Sequence, residues 1–586
     1  MGEGELHSAL KQLRAEANRQ CPEALEGPGQ TTTLIARERA SLRDGLRSVP
    51  VPLTLDALGL SRGEREQVVA THPMTVNNQP QTPYVLAIDI GSSSVRATVY
   101  DAHANAVSGL SVATPHVTPT TPDGGAADDA LVLAGVVERT IDDILTLAGD
   151  AAAKIVAVGL DSFVGNILGL DKAGNPTTPV YTYADTRSLQ EVAQMRRDLD
   201  AVDVHQRTGV TLHTAYAPAR LLWVRANEPK AWAETVRWTD FATYLYGRWF
   251  GEEAACSSSV ASWSGLLNRN TGDWDTKLLA YTGISSDQLP RLADYSDTMS
   301  RLAPAYAAKW PALSQVPFTL AVGDGAAANV GEGCSAPGAT ALTVGTTGAV
   351  RAGVPIPLDN VPRGLSVYNL SKQRILLGGA VTDAGGLFAW MRDTLDVPDP
   401  ATLETELSAL KPDGHGLTVL PFLRGERSPG WLDNATGAVI GLRASTTPAD
   451  IVRAGLESVA YRFALIADRL ATVVKPEPEI VVGGGAAQSS PTWLQMFADV
   501  LDRTVAESGE PETTSRGSAI LALHSAGVID SLDDLPAQRG RRYTPNPAST
   551  DAYRVGLERH HTLYHSLLDL PDSAGSYISE CDHDPV

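Results

Sequence analysis

The chain is 586 residues long, 43 % apolar and 20 % charged, with a formal net charge of −21. That length exceeds a single hydrophobic core and predicts two large domains with additions, while the acidic balance argues against nucleic acid or an anionic membrane as partner. No apolar run reaches membrane-spanning length, the N-terminus carries no apolar signal region, and the four cysteines are scattered without metal-ligand spacing; together these predict a cytoplasmic protein with reduced thiols.

Residues 1–80 read as an N-terminal extension, partly helical (6–19 and 34–46) or disordered, with no chemical motif. A polar run after Met74 then leads into YVLAIDIGSSSVRATVYD, residues 84–101. Its two apolar stretches, 85–90 and 95–100, predict strands joined by a tight turn at Gly91, Ser92, Ser93 and Ser94. Such a turn leaves backbone N–H groups and hydroxyls free to face an anion. Asp89 before it suits Mg²⁺, and Arg96 after it suits a phosphate. An ordinary surface hairpin shows the same pattern, so its weight depends on what recurs.

A Pro/Thr/Gly-rich connection follows, then a helix over 130–147 and a short buried strand over 155–160. In the segment DSFVGNILGLDKAGNPTTPVYTYADTRS, Asp185-Thr186-Arg187 is expected to open a helix with Asp185 as its cap. The aromatic-rich stretch 208–275 reads as mostly helical, its Trp and Tyr residues as core packing. A strand over 318–322 runs into GDGAAANVGEG and predicts Asp324 at a strand's C-terminal end, where α/β proteins place reactive groups. Residues 339–350, ATALTVGTTGAV, then repeat the opening design, about 250 residues on; two such hairpins predict related domains facing each other across a cleft. Residues 378–395 read as a Gly-rich loop entering a helix. Thr447, Pro448 and Asp450 mark the start of a helix with an apolar face at Leu456, Val459, Ala460 and Phe463. A strand over 479–482 feeds Gly483-Gly484-Gly485-Ala486, bare backbone suited to a phosphate or a flat ring. The tail, 569–586, is polar and expected to be disordered.

These pieces, in this order, resemble the FGGY carbohydrate kinases of the actin/hexokinase/heat-shock ATPase superfold, over residues 84–568. DIGSSSVR resembles the family's first phosphate loop, VGTTGAV the second, GDGAAANVG the segment of the catalytic Asp, and IVVGGGA the adenosine loop; GAVIGL, seven residues, then DIVRAGLE fits the C-terminal signature. GERSPGW and ADTRS look most like the gluconokinase branch. The resemblance implies an α/β, two-domain actin/hexokinase-like (ribonuclease H-like) fold with an interdomain ATP/sugar cleft, its domains spanning 81–333 and 334–568. It implies Asp324 as general base, Asp89 on Mg²⁺, and Gly91, Ser92, Ser93, Ser94, Arg96, Gly345 and Thr346 on the phosphates of ATP. Gly385, Gly484, Gly485 and Ala486 would line the adenosine; Phe163, Val164, Gly165, Asp185 and Arg187 would meet the sugar.

Two departures bear on the substrate: Gly165 stands where the family usually has His or another polar residue, reading as opened space, and Tyr183 replaces a more usual Trp. The expected activity is ATP-dependent phosphorylation of a sugar or sugar-acid hydroxyl, with gluconate leading and a pentulose or polyol as the alternative. A sensor that keeps the fold without turnover would need no base at Asp324. An acidic protein that binds gluconate needs a local cation, for which Arg187, Arg424 and Arg427 are the candidates. Whether the chain forms a homodimer is left open by the sequence.

Overall fold

Strand β1 (Tyr84–Ile90) is buried along its whole length, as a continuous apolar run demands of a strand covered on both faces. The computed structural model that shows this describes residues 80–251, 254–475 and 477–568. The helices expected over 6–19 and 34–46, the rest of residues 1–79, the tail 569–586, Cys21 and Cys581 lie outside the described residues. Antiparallel β2 (Ser94–Tyr100) and β3 (Ala106–Pro115) continue from β1 as a meander. Parallel β4 (Ile155–Ser162) and β5 (Val322–Gly323) lie on its other side, giving a five-stranded sheet of order β5-β4-β1-β2-β3. Helix α1 (Ala130–Ala148), capped by Asp129, covers β2 and β3.

The second lobe repeats the plan. Strands β6 (Thr340–Val344) and β7 (Gly348–Val354) form a hairpin, β8 (Ser366–Asn369) and β9 (Ile375–Val381) extend it, and β10 (Glu479–Gly483) pairs in parallel with β6, as β4 does with β1. With β11 (Thr504–Ser508) and β12 (Arg539–Tyr543) the order is β8-β9-β7-β6-β10-β11-β12. The hairpin echo seen in the sequence is thus a repeat of sheet topology.

Three expectations about elements change. The strand expected over 318–322 pairs only at Val322–Gly323, with one isolated bridge from Phe318 to Val158, because Phe318 and Leu320 also bond to Met299 and Tyr295. Asp324 therefore opens helix α2 (Asp324–Gly331), one step past the strand. Asp185 caps no helix: the next one runs Leu189–Asp198, after Ser188, since the Asp185 carboxylate is taken by Arg187 and by the Ala126 N–H. Gly378 and Gly379 lie inside β9, Gly378 paired with both β7 and β8 and Gly379 with β7, and the helix α3 that follows is Gly385–Thr394.

Helix α4 (Pro448–Ala471) begins at Thr447, whose hydroxyl accepts the Asp450 N–H while Asp450 accepts the Thr447 N–H. Its middle, residues 452–464, is buried all round, with the apolar side in the second lobe's core against α5 (Pro491–Leu501). Helix α6 (Thr513–Ser525) belongs by sequence to the C-terminal half but packs on β1, β4 and α2. There the backbones touch: a Cβ on Gly517 would lie 1.9 Å from the Ala327 carbonyl, and one on Gly331 would lie 1.8 Å from that of Thr513. The small cluster of Val85, Ala87, Ala157, Ala326, Ala327 and Ala519 that results is the shared core of the two lobes. Cys256 and Cys334 are buried free thiols. Among the described residues, no helix is long and apolar enough to cross a membrane.

Candidate active site

Parallel pairing of β1 with β4 sets Asp89 opposite Asp161, and β5 sets Val322 opposite Asp161, two residues before Asp324. Three carboxylates thus leave the C-terminal ends of three adjacent strands, where an α/β sheet opens its crevice. Asp89 and Asp161 are buried. Burial raises Asp89 above its ordinary range, opposed by its contact with Asp161 and by Arg96, 3.4 Å away. Burial, and then the charge of Asp89, push Asp161 well up; its Oδ2 accepts the Ser518 hydroxyl at 2.6 Å. Its Oδ1 is buried with no hydrogen-bond partner among the described residues. Burial pushes Asp324 up to about 6, against the opposing charge of Arg351 and a 2.7 Å hydrogen bond from the Gly325 N–H. Sequence reasoning missed Asp161; its position directly after the buried run IVAVGL, level with Asp89, is the signal that could have found it.

The two hairpin turns differ in setting. In the first, Gly91 N–H bonds to the Ser94 carbonyl at 3.0 Å, and Ser92 and Ser93 are exposed. In the second, the carbonyls of Gly345 and Thr346 accept the N–H groups of Ala384, Gly385 and Gly386 at the start of α3. Gly484, at φ +92°, passes beneath β6, its absent Cβ falling 2.4 Å from the Val344 carbonyl. A Cβ on Gly385 would lie 2.6 Å from that of Ala486. Gly345, Thr346, Gly385, Gly484 and Ala486 are therefore one continuous backbone surface.

Between the lobes lies a cavity of about 140 Å³, to which the first lobe contributes Val164, Gly165, Tyr183 and Asp324, and the second Arg351 and Arg427. Its walls are aromatic. Trp263 stacks on Tyr368 with ring centroids 3.4 Å apart, and the Tyr216 and Tyr368 hydroxyls are 2.8 Å from each other. Trp263, expected in the core, is buried in a small aromatic cluster and also walls the cavity. The Arg351 guanidinium lies 5.3 Å from the Trp263 ring, and that of Arg427 lies 5.0 Å from the Tyr183 ring. Among the described residues neither makes an ion pair or a side-chain hydrogen bond, and burial lowers Arg351 from its ordinary value. A larger surface cavity of about 620 Å³, around Asn175, Trp238 and Arg248, has no carboxylate in its described lining.

Several expected sugar-contacting residues lie elsewhere. Phe163 is buried against Phe241 and does not line the cavity. Asp185 and Arg187 form a 2.5 Å ion pair, with Arg187 4.2 Å from the Trp223 ring, and they too are outside the cavity lining. Arg424 pairs with Asp383 at 2.8 Å, beside Thr346 and Gly386, on the side of the second turn. Gly165 does line the cavity, but not as opened space: its φ is +68°, and a Cβ would lie 2.8 Å from the Ala215 carbonyl. The glycine is demanded by a left-handed turn.

The chain matches the model of the FGGY family of carbohydrate kinases, N-terminal domain, over residues 84–331, and that of the C-terminal domain over 340–526. A gluconokinase of Bacillus subtilis (strain 168) is 27 % identical over 488 residues, covering 81 % of this chain and 94 % of the relative. A glycerol kinase of Oleidesulfovibrio alaskensis is 27 % identical over 479 residues, covering 79 % and 94 %. Among solved structures, a ligand-bound xylulose kinase from Lactobacillus acidophilus superposes with a TM-score of 0.77 at 25 % identity, covering 83 % of this chain and 98 % of that one.

Proposed function

The chain belongs to the FGGY family of carbohydrate kinases, ATP-dependent phosphotransferases of the two-domain actin-like fold, and from that premise we propose that this member phosphorylates a sugar acid, with gluconate as substrate. One observation carries the choice: Arg351 and Arg427 both face the cavity beside Asp324, and Arg427, unlike Arg351 with the charges of Asp324 and Glu332 near it, has no carboxylate paired with it among the described residues. Removing a guanidinium from water without a partner is costly. A substrate carboxylate pairs with such a fork through two parallel hydrogen bonds and offsets that cost. A neutral pentulose or glycerol would leave Arg427 without a charged partner. A pentulose remains the second reading, favoured by the likeness to the xylulose kinase.

In this reading Asp324 is the general base. With its carboxyl at about 6 it is ionised at neutral pH and still basic enough to accept the hydroxyl proton as the phosphoryl group transfers. The turn at Gly91, Ser92, Ser93 and Ser94, with Arg96, and the turn at Gly345 and Thr346 hold the phosphates; Gly385, Gly484, Gly485 and Ala486 line the adenosine. Asp89 would hold Mg²⁺ together with Asp161, whose unpartnered buried oxygen fits a hard cation's preference for carboxylate. Mg²⁺ when bound neutralises charge on the transferring group. The protein's own contribution is alignment and the exclusion of water between two lobes. The test is ADP release with gluconate, xylulose, xylitol and glycerol in parallel; a preference for any neutral acceptor over gluconate overturns the sugar-acid assignment.

A further inference from the structure

The loop between Phe422 and Gly437 supplies Arg427 and Trp431 to the cavity; Glu426 and Arg424 tie it to Arg462 and Asp383 of its own lobe, and Asp433 ties it to the other lobe. Asp433 Oδ2 lies 2.9 Å from Arg196 Nη2, and its Oδ1 lies 2.8 Å from His213 Nε2. Arg196 sits near the end of the helix Leu189–Asp198, and the same Nη2 donates to the Leu212 carbonyl at 2.9 Å and reaches the Trp431 carbonyl at 3.4 Å. His213 Nδ1 accepts the Ala215 N–H, which fixes its proton on Nε2, facing Asp433. The His213 ring also meets the Trp431 ring edge-on at 5.1 Å.

The loop is a tight unit. Trp431 holds the left-handed conformation at φ +57°, its N–H bonded to the Arg427 carbonyl at 2.7 Å and its indole N–H to the Gly364 carbonyl at 3.0 Å. Gly425 sits against the Asp433 carbonyl, with no room for a Cβ. A strained backbone of this kind persists only where its surroundings over-determine it. Arg427, Trp431 and Asp433 therefore move as one body, which Asp433 joins to the first lobe.

We propose that Asp433 is a positioning residue: by pairing with Arg196 and His213 of the first lobe it holds Arg427 and Trp431 over the acceptor, so that acceptor binding and closure of the lobes are one event. The inference rests on the reading of this cavity as the acceptor site. Its physical core is that a half-buried carboxylate whose charged partners both sit on the opposite lobe can keep them only when the lobes are together. Once Asp433 loses its partners on opening, its carboxylate must be rehydrated, and the two cavity arginines withdraw with it.

The experiment uses D433N, R196M, R196K and the D433N/R196M double variant of the full chain, with melting temperature as the check on folding. Steady-state kinetics with gluconate and ATP should show the gluconate KM raised about tenfold or more in D433N and R196M, the ATP KM within about twofold of wild type, and R196K close to wild type. The double variant should be no worse than the more impaired single one, because the two changes break one contact. Hydrogen exchange without substrate supplies a second reading: in D433N, amides of 209–216 and 424–434 should exchange faster, and those of the turns at 91–94 and 345–347 should not. Equal rises in both KM values, additive single effects, or unchanged exchange at 209–216 would overturn the proposal. If wild type does not turn over gluconate, the sugar-acid reading fails, and the exchange measurement still decides the fate of Asp433.

Discussion

At the proposed nucleotide end of the site the groups on offer belong mostly to the backbone; at the acceptor end they are side chains. The turn at 345–347 is fixed by main-chain bonds from Ala384, Gly385 and Gly386, and Gly484 passes beneath it. The cavity beside Asp324 is instead walled by Trp263, Tyr368 and Tyr216 and faced by Arg351 and Arg427. Backbone groups recognise what every nucleotide shares, and they need no particular side chain to do it. Side chains carry discrimination, because a group built to bond one substrate is left unpaired by another. Changes at the acceptor end should therefore alter which substrate is used, and changes at the nucleotide end should alter all substrates alike.

The largest expected effect lies where the two ends meet. Asp324→Asn should cut kcat by about a hundredfold to ten-thousandfold while ATP binding, read by calorimetry, persists. In wild type, kcat/KM should fall about tenfold per pH unit below the Asp324 value of about 6, since the base is lost as it protonates; D324N should lack that limb. Next come the arginines. R351M and R427M should each lose about 2–4 kcal/mol of preference for gluconate over a neutral polyol of similar length, read as a ratio of kcat/KM values. An equal loss for both acceptors would erase the contrast between the two ends.

The nucleotide end has its own test in Glu332. This side chain is fully buried, neither oxygen has a partner among the described residues, and Oε1 occupies the space that a Cβ on Gly483 would need. Burial raises its carboxyl to about 8, against the pull of Arg351 and Arg539. An acid with a folded value above its unfolded one destabilises the folded state as pH rises from about 4.5 towards 8, because the unfolded chain ionises first. Glu332→Gln should remove that loss, stabilising the protein by up to about 4 kcal/mol at pH 7.5 in urea melts and leaving acceptor preference unchanged. The smallest effect is at Gly165. G165A forces a Cβ against the Ala215 carbonyl at a left-handed φ, so it should cost about 1–2 kcal/mol of stability and raise the acceptor KM more than the ATP KM.

The same contrast decides what could be read from the sequence. Both hairpins, the Thr447 cap and the run from β10 into Gly484 are local patterns, and local patterns survive in one dimension. Asp324 is legible as the residue that follows a buried run, although its place at a helix start depends on how far β5 can pair. Asp161 needed strand register, and Arg351, Trp263 and Tyr368 needed segments far apart in the chain to converge. None of that convergence is written in periodicity. For Arg187 the sequence leaves a structural ion pair and a ligand contact both open, and in the fold its two-residue neighbour Asp185 takes it.

The contact between Gly331 and Gly517 has a consequence for where damage can arise. Helix α2 begins at Asp324 and ends at Gly331, a span of about 10 Å at 1.5 Å per residue. Helix α6 carries Gly517 beside Ser518, whose hydroxyl holds Asp161. A methyl group added to either glycine would act as a wedge between two rods, one bearing the proposed base and the other bracing a carboxylate of the proposed metal site. Turnover could then be abolished by a substitution that touches neither sugar nor nucleotide, at a position that is silent in any chemical reading of the site.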